Sequence, residues 1–154
     1  MNMLLGALQL GLFYSLLAMG VFISFRVLNT PDLTAEGSFT FGVAVSTMVT
    51  VAGHPYLGLL AAFLAGMAAG AVTGLMQTKV GIHPILAGIL TMSGLYTINL
   101  AVMGASANVT LLDKPTLFRL LFKQLPMSKD VIRVLVGLVL AGAVLAALAW
   151  FFRT

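Results

Sequence analysis

The stretch Tyr56-Leu57-Gly58-Leu59-Leu60-Ala61-Ala62-Phe63-Leu64-Ala65-Gly66-Met67-Ala68-Ala69-Gly70-Ala71-Val72-Thr73-Gly74-Leu75-Met76 runs for 21 residues without a charged side chain. At about 1.5 Å of rise per residue, a helix of this length spans a hydrocarbon core roughly 30 Å thick. Gly58, Ala62, Gly66, Gly70 and Gly74 recur at every fourth position, so one face of that helix carries almost no side chain. In a bilayer the solvent is as apolar as leucine, and close backbone approach through small residues is a main source of helix association. The stripe therefore predicts a helix-packing face, and the chain reads as one part of a tightly packed membrane bundle.

Composition agrees. The 154 residues are 60% hydrophobic and 8% charged, with a mean hydropathy of +1.10, whereas soluble domains average about 25% charged residues. The expected fold is all-α, a single transmembrane domain over residues 1–154. The net charge of +4 is scattered over connecting segments, with no basic run to track a nucleic acid. There is no cysteine, and His54 and His83 are far apart in sequence and each followed by proline. No metal site or cofactor is expected. The N-terminus lacks the basic region and small-residue cleavage site of a signal peptide, so the first apolar run is expected to remain as a span.

Five runs read as spans: Met3 to Phe25, roughly Ser38 to Ala52, Tyr56 to Met76, Pro84 to Met103, and Val131 to Phe152. The second is too short to cross unless the polar stretch Asn29 to Gly37 also lies at membrane depth, the mark of an interrupted or re-entrant segment. Transporter sites are often built at such breaks. In that stretch Thr30-Pro31 predicts a helix start, since the hydroxyl caps a free amide and proline suits the first helical position. Asp32 and Glu36 would then lie i, i+4 on one side of the first turns, favoured by the helix dipole. A solvated, well-capped loop explains these residues, and so does a polar pathway at a broken span.

The fourth span carries Thr91, Ser93, Tyr96, Thr97 and Asn99 among apolar residues. This polar flank suits either a pathway or hydrogen bonding between helices. The candidate pathway residues are Asp32, Thr34, Glu36 and Ser38 at the break, with Tyr96 and Asn99 on the fourth span. Ala7, Gly11 and Ser15 in the first span, and Gly137, Ala141 and Gly142 in the fifth, repeat the small-residue device. Trp150 beside Arg153 has the form of an interfacial anchor.

The connection from Gly104 to Asp130 holds an apolar middle, Pro115 to Pro126, with Arg119 and Lys123 on one helical side. It predicts a short helix in the headgroup plane, in contact with lipid; the rival is a docking surface for a soluble partner. Charges conflict over orientation. Arg26 after the first span favours an outside N-terminus, whereas Lys114, Arg119, Lys123, Lys129 and Arg133 around the fourth connection favour the reverse.

Pro31-Asp32-Leu33-Thr34-Ala35-Glu36-Gly37-Ser38-Phe39, Gly74-Leu75-Met76-Gln77-Thr78-Lys79, His83-Pro84-Ile85-Leu86-Ala87-Gly88-Ile89-Leu90, and Leu95-Tyr96-Thr97-Ile98-Asn99-Leu100 with Met103-Gly104 closely resemble the permease subunit of bacterial ABC importers. The nearest branch is the tryptophan/tyrosine-type permeases, relatives of the branched-chain amino acid permeases. The resemblance runs over nearly the whole chain. It implies a multi-pass protein of the bacterial inner membrane, with an outside N-terminus and an external fourth connection. The implied partners are a separate ABC ATPase, an extracytoplasmic solute-binding protein and a second permease copy in a homodimer. Such permeases are nearly twice this length, with the loop that docks on the ATPase after the fifth span. The chain therefore resembles the N-terminal half of one.

The leading expectation is a permease subunit forming part of the pathway of an ATP-driven importer for an amino acid or similar small solute. It is not an enzyme: no glycine-rich phosphate loop is present, which assigns ATP hydrolysis to a partner. The rivals are a stand-alone membrane module that captures a vitamin-like ligand, and a truncated permease without activity.

Overall fold

Proline and glycine punctuate the chain, and the helices follow that punctuation. A computed structural model describes residues 2–30, 32–106, 108–111, 114, 116, 119 and 129–153. The helices are α1 (Asn2–Leu28), α2 (Ala35–Val51), α3 (Pro55–Thr78), α4 (Pro84–Val102) and α5 (Lys129–Arg153), and no strand occurs among the described residues. α3 and α4 each open on a proline, where the missing N–H would have had no partner in any case. α1 stops where Asn29 turns left-handed at φ 54°, a conformation asparagine tolerates better than most residues, with its N–H bonded to the Phe25 carbonyl at 3.1 Å. Beyond α2, Gly53 takes φ 96°, while the His54 N–H reaches back to Val49 O at 3.2 Å and closes the helix end.

α1, α3, α4 and α5 are each long and apolar enough to cross a membrane. α2 has 17 residues and reaches only about 25 Å, short of a core roughly 30 Å thick. The fold is a polytopic all-α membrane bundle in which α2 is the shortest of the described helices. The expected headgroup helix at Pro115 to Pro126 lies outside the described residues, apart from Thr116 and Arg119.

The chain forms two compact units, residues 1–23 with 118–154, and residues 24–117. In the first, Leu12 of α1 fills the space left by Gly137 of α5: a methyl added to that glycine would stand 3.2 Å from Leu12 Cβ. Ile132 and Ala141 of α5 are buried. The rings of Phe22 and Phe152 meet edge to face with centroids 6.4 Å apart, a favoured aromatic geometry. A methyl added to Gly11 or Gly142 would meet no described atom within 4 Å.

In the second unit α2 packs on both α3 and α4, and α3 packs on α4. The interior is made of small residues, with Ala44, Ala65, Ala69 and Ala87 buried, while Leu59, Phe63, Leu64 and Met67 point outward. In membrane bundles backbones approach through small residues and large apolar side chains can face lipid at no cost.

Candidate functional site

The break before α2 is an ordered turn. Asp32 Oδ1 accepts the Thr34 backbone N–H at 2.9 Å and also the Thr34 hydroxyl. Thr34, 1% exposed, in turn accepts at its carbonyl the N–H of Ser38 at 2.8 Å and the Ser38 hydroxyl at 2.8 Å. This corrects the helix start expected at Thr30-Pro31, since α2 begins only at Ala35. An aspartate that bonds the backbone two residues ahead holds the chain in a turn in competition with a helix. Asp32 therefore precedes the helix and shares no helical face with Glu36, which lies exposed in the first turn of α2.

The turn is seated on α4. A methyl added to Gly88 would stand 3.0 Å from Leu33 Cβ, and one added to Gly37 would meet Leu95 Cδ1 and Met92 Cγ at 3.4 Å. These two glycines let the start of α2 lie against the first half of α4, a contact that sequence reasoning missed. The signal was there in two glycines within apolar helices, but glycine spacing does not name the partner. Asp32, Thr34 and Ser38 are thus joined by hydrogen bonds, while Glu36 stands exposed beside them. Tyr96 and Asn99 lie further along α4 and stand apart from each other in exposure. Tyr96 is 69% exposed, whereas Asn99 is 7% exposed and its Oδ1 has no hydrogen-bond partner among the described residues.

A cavity of about 290 Å³ lies among α2, α3 and α4, lined by Phe41, Ala69, Val72, Met76 and Leu95 with Thr91 its one polar residue. The Thr91 hydroxyl points to Met76 Sδ at 3.6 Å. None of the six candidate pathway residues lines it. Among the described residues no three His, Cys, Asp or Glu side chains gather as a metal site.

The stripe on α3 divides. Gly58 meets α2, where an added methyl would stand 2.9 Å from Thr50 Oγ1 and 3.0 Å from Ser46 O, and the Ala62 carbonyl faces Gly42 of α2. At Gly66, Gly70 and Gly74 an added methyl would have no neighbour within 4 Å among the described residues. Residues four apart precess by about 40° per step on a helix of 3.6 residues per turn. The stripe therefore winds away from α2, and Ala65, Ala69 and Thr73 are buried in its place.

The comparisons with known proteins agree with this architecture. Residues 3–154 match the family described as the permease component of the branched-chain amino acid transport system. A tyrosine transport system permease protein of Clostridioides difficile (strain R20291) is 38% identical over 119 residues, covering 77% of this chain and 40% of the relative. An uncharacterized protein of Rickettsia prowazekii (strain Madrid E) is 36% identical over 121 residues, covering 79% of this chain and 42% of the relative. No solved structure matches. The chain belongs to the branched-chain amino acid transport permease family and is a multi-pass plasma-membrane protein. It matches about two fifths of the length of these curated relatives.

Proposed function

We propose that the chain forms part of the translocation pathway of an ATP-driven importer for an amino acid or similar small solute. The observation that carries this reading is the family match over residues 3–154, joined by the likeness to a tyrosine transport permease. ATP hydrolysis belongs to a separate ATPase, solute is delivered by an extracytoplasmic binding protein, and a second permease copy completes the pathway. The chain itself supplies a passage and performs no bond chemistry.

In this reading the turn from Asp32 to Thr34 is a break in a span, held on α4 by Leu33 at Gly88. Asp32, Thr34, Glu36 and Ser38 stand at the pathway, with Tyr96 and Asn99 along α4. Interrupted helices supply free backbone groups at sites of this kind. The open part of the α3 stripe, Gly66, Gly70 and Gly74, is a helix contact within the assembled permease. The N-terminus is outside.

The test is purification of the tagged chain from its native membrane. The expected preparation contains a second subunit that hydrolyses ATP, stimulated when solute-loaded binding protein is added. A preparation without ATPase that binds solute tightly by itself would instead establish a stand-alone capture module.

A further inference from the structure

α4 carries a second polar surface, apart from the buried row of Thr91 and Asn99. Ser93 is the middle residue of the helix, and Tyr96 and Thr97 follow it at i+3 and i+4, so the three share one side. All three are exposed. None of the three side-chain hydroxyls makes a hydrogen bond to any described residue, even to a carbonyl of its own helix. Several other helical hydroxyls do so, Thr73 to Ala69 O, Thr78 to Gly74 O and Ser15 to Leu12 O. Three hydroxyls without a partner among the described residues, at the centre of a membrane span, are costly in hydrocarbon, which offers no hydrogen bond. Tyrosine in membranes prefers the interfaces, where its ring is in lipid and its hydroxyl in water. Tyr96, one turn from the middle of α4, has no such refuge if lipid covers it.

We propose that the Ser93–Tyr96–Thr97 face of α4 is the water-wetted lining of the translocation pathway at mid-membrane, where hydroxyls contact a hydrogen-bonding solute as it passes. The assignment rests on the permease reading. A helix of a second copy is a poorer occupant: Ser93 and Thr97 are small enough for close helix contact, but Tyr96 beside them holds a second backbone away. The small-residue surface lies on α3 at Gly66, Gly70 and Gly74, whereas the α4 face bears a bulky Tyr96 with Ile89 and Leu100 on the same side. Ser93 and Thr97 thereby join Tyr96 as residues that contact solute at mid-membrane, while Asn99 and the apolar cavity at Thr91 lie on the packed side of α4, away from this lining.

The chain has no cysteine, which permits a direct test. Ser93→Cys and Thr97→Cys are introduced singly into the chain expressed with its native transport system, with Leu64→Cys as the lipid-facing control. Membranes are treated with a positively charged methanethiosulfonate, which needs water and a thiolate to react. The expected result is modification at positions 93 and 97 at least about tenfold faster than at 64, because only a wetted thiol ionises. Modification should also slow when an amino acid that the system takes up is present in excess. Uptake by the variants is measured in parallel. Normal uptake with positions 93 and 97 as unreactive as 64 would overturn the assignment while leaving the permease reading intact. So would fast modification that no transported amino acid slows. If one variant loses uptake through misfolding, the other carries the same test. Uptake that does not depend on the chain at all would overturn the permease reading, and the assignment with it.

Discussion

Leu33 rests on Gly88: its Cβ lies 3.0 Å from where a methyl on that glycine would stand. This contact pins the turn before α2 to the first half of α4, so whatever the turn does in transport is coupled to the position of α4. Gly88→Ala places a methyl 3.0 Å from Leu33 Cβ, an atom fixed to the backbone of the turn, so the turn itself must give by a few tenths of an ångström. Overpacking of this kind costs about 1–3 kcal/mol. A lowered melting temperature in detergent is expected for Gly88→Ala. Gly94→Ala, with nothing within 4 Å of the added methyl, should be neutral or slightly stabilising, because glycine inside a helix is weaker than alanine by about 0.5–1 kcal/mol. Equal melting of the two variants would contradict the contact.

Asp32 separates charge from geometry. Its Oδ1 holds the Thr34 N–H and hydroxyl, and hydrogen bonds to a charged group contribute about 1.5–3 kcal/mol. Asp32→Ala should therefore lower stability by about that amount. Asp32→Asn keeps an oxygen in the same place and should lose less than half as much. Glu36→Gln, on an exposed side chain, should leave melting unchanged. If Glu36 belongs to the pathway, the same substitution lowers uptake at normal membrane abundance.

The two ends of the α3 stripe should respond differently. Gly58→Ala places a methyl against the Ser46 carbonyl and the Thr50 hydroxyl, which predicts a loss of about 1–3 kcal/mol in the isolated chain. At Gly70 an added methyl has no neighbour within 4 Å among the described residues, so the melting of Gly70→Leu should match the parent. Because the open stripe is proposed to meet another helix of the assembled permease, the same substitution should reduce recovery of the intact complex. Normal assembly of Gly70→Leu would assign that end of the stripe to lipid.

Topology is checked with single cysteines at Asn108 and Thr78 and an impermeant thiol reagent on intact cells. Labelling at 108 and none at 78 is expected for an outside N-terminus. The reverse would mean that the positive charges of the fourth connection set the orientation.

Much of the helical architecture was legible because long charge-free runs, His54-Pro55 and His83-Pro84 mark spans and their starts without reference to anything distant. The brevity of the second span was legible for the same reason. The start of α2 was not, because Thr30-Pro31 is a good local helix start and only the bond from Asp32 to Thr34 moves it to Ala35. A four-residue spacing also described the α3 stripe well at Gly58 and Ala62 but could not show where the helix twist carries Gly66 and Gly70. For the site, the sequence marked polar residues on α4 without telling sides apart. Tyr96 faces outward and Asn99 inward, and only the packing of Gly37 against Leu95 fixes which side of α4 is which.

Uptake is the most direct test of the central claim. Radiolabelled amino acids are offered to cells lacking the gene, to the parent strain and to the deletion strain carrying the gene on a plasmid. Deletion should lower uptake of at least one amino acid, the plasmid should restore it, and depleting ATP should abolish it even when the membrane potential is maintained. Uptake of every amino acid at the parent rate in the deletion strain, or restored uptake that survives ATP depletion, would contradict it.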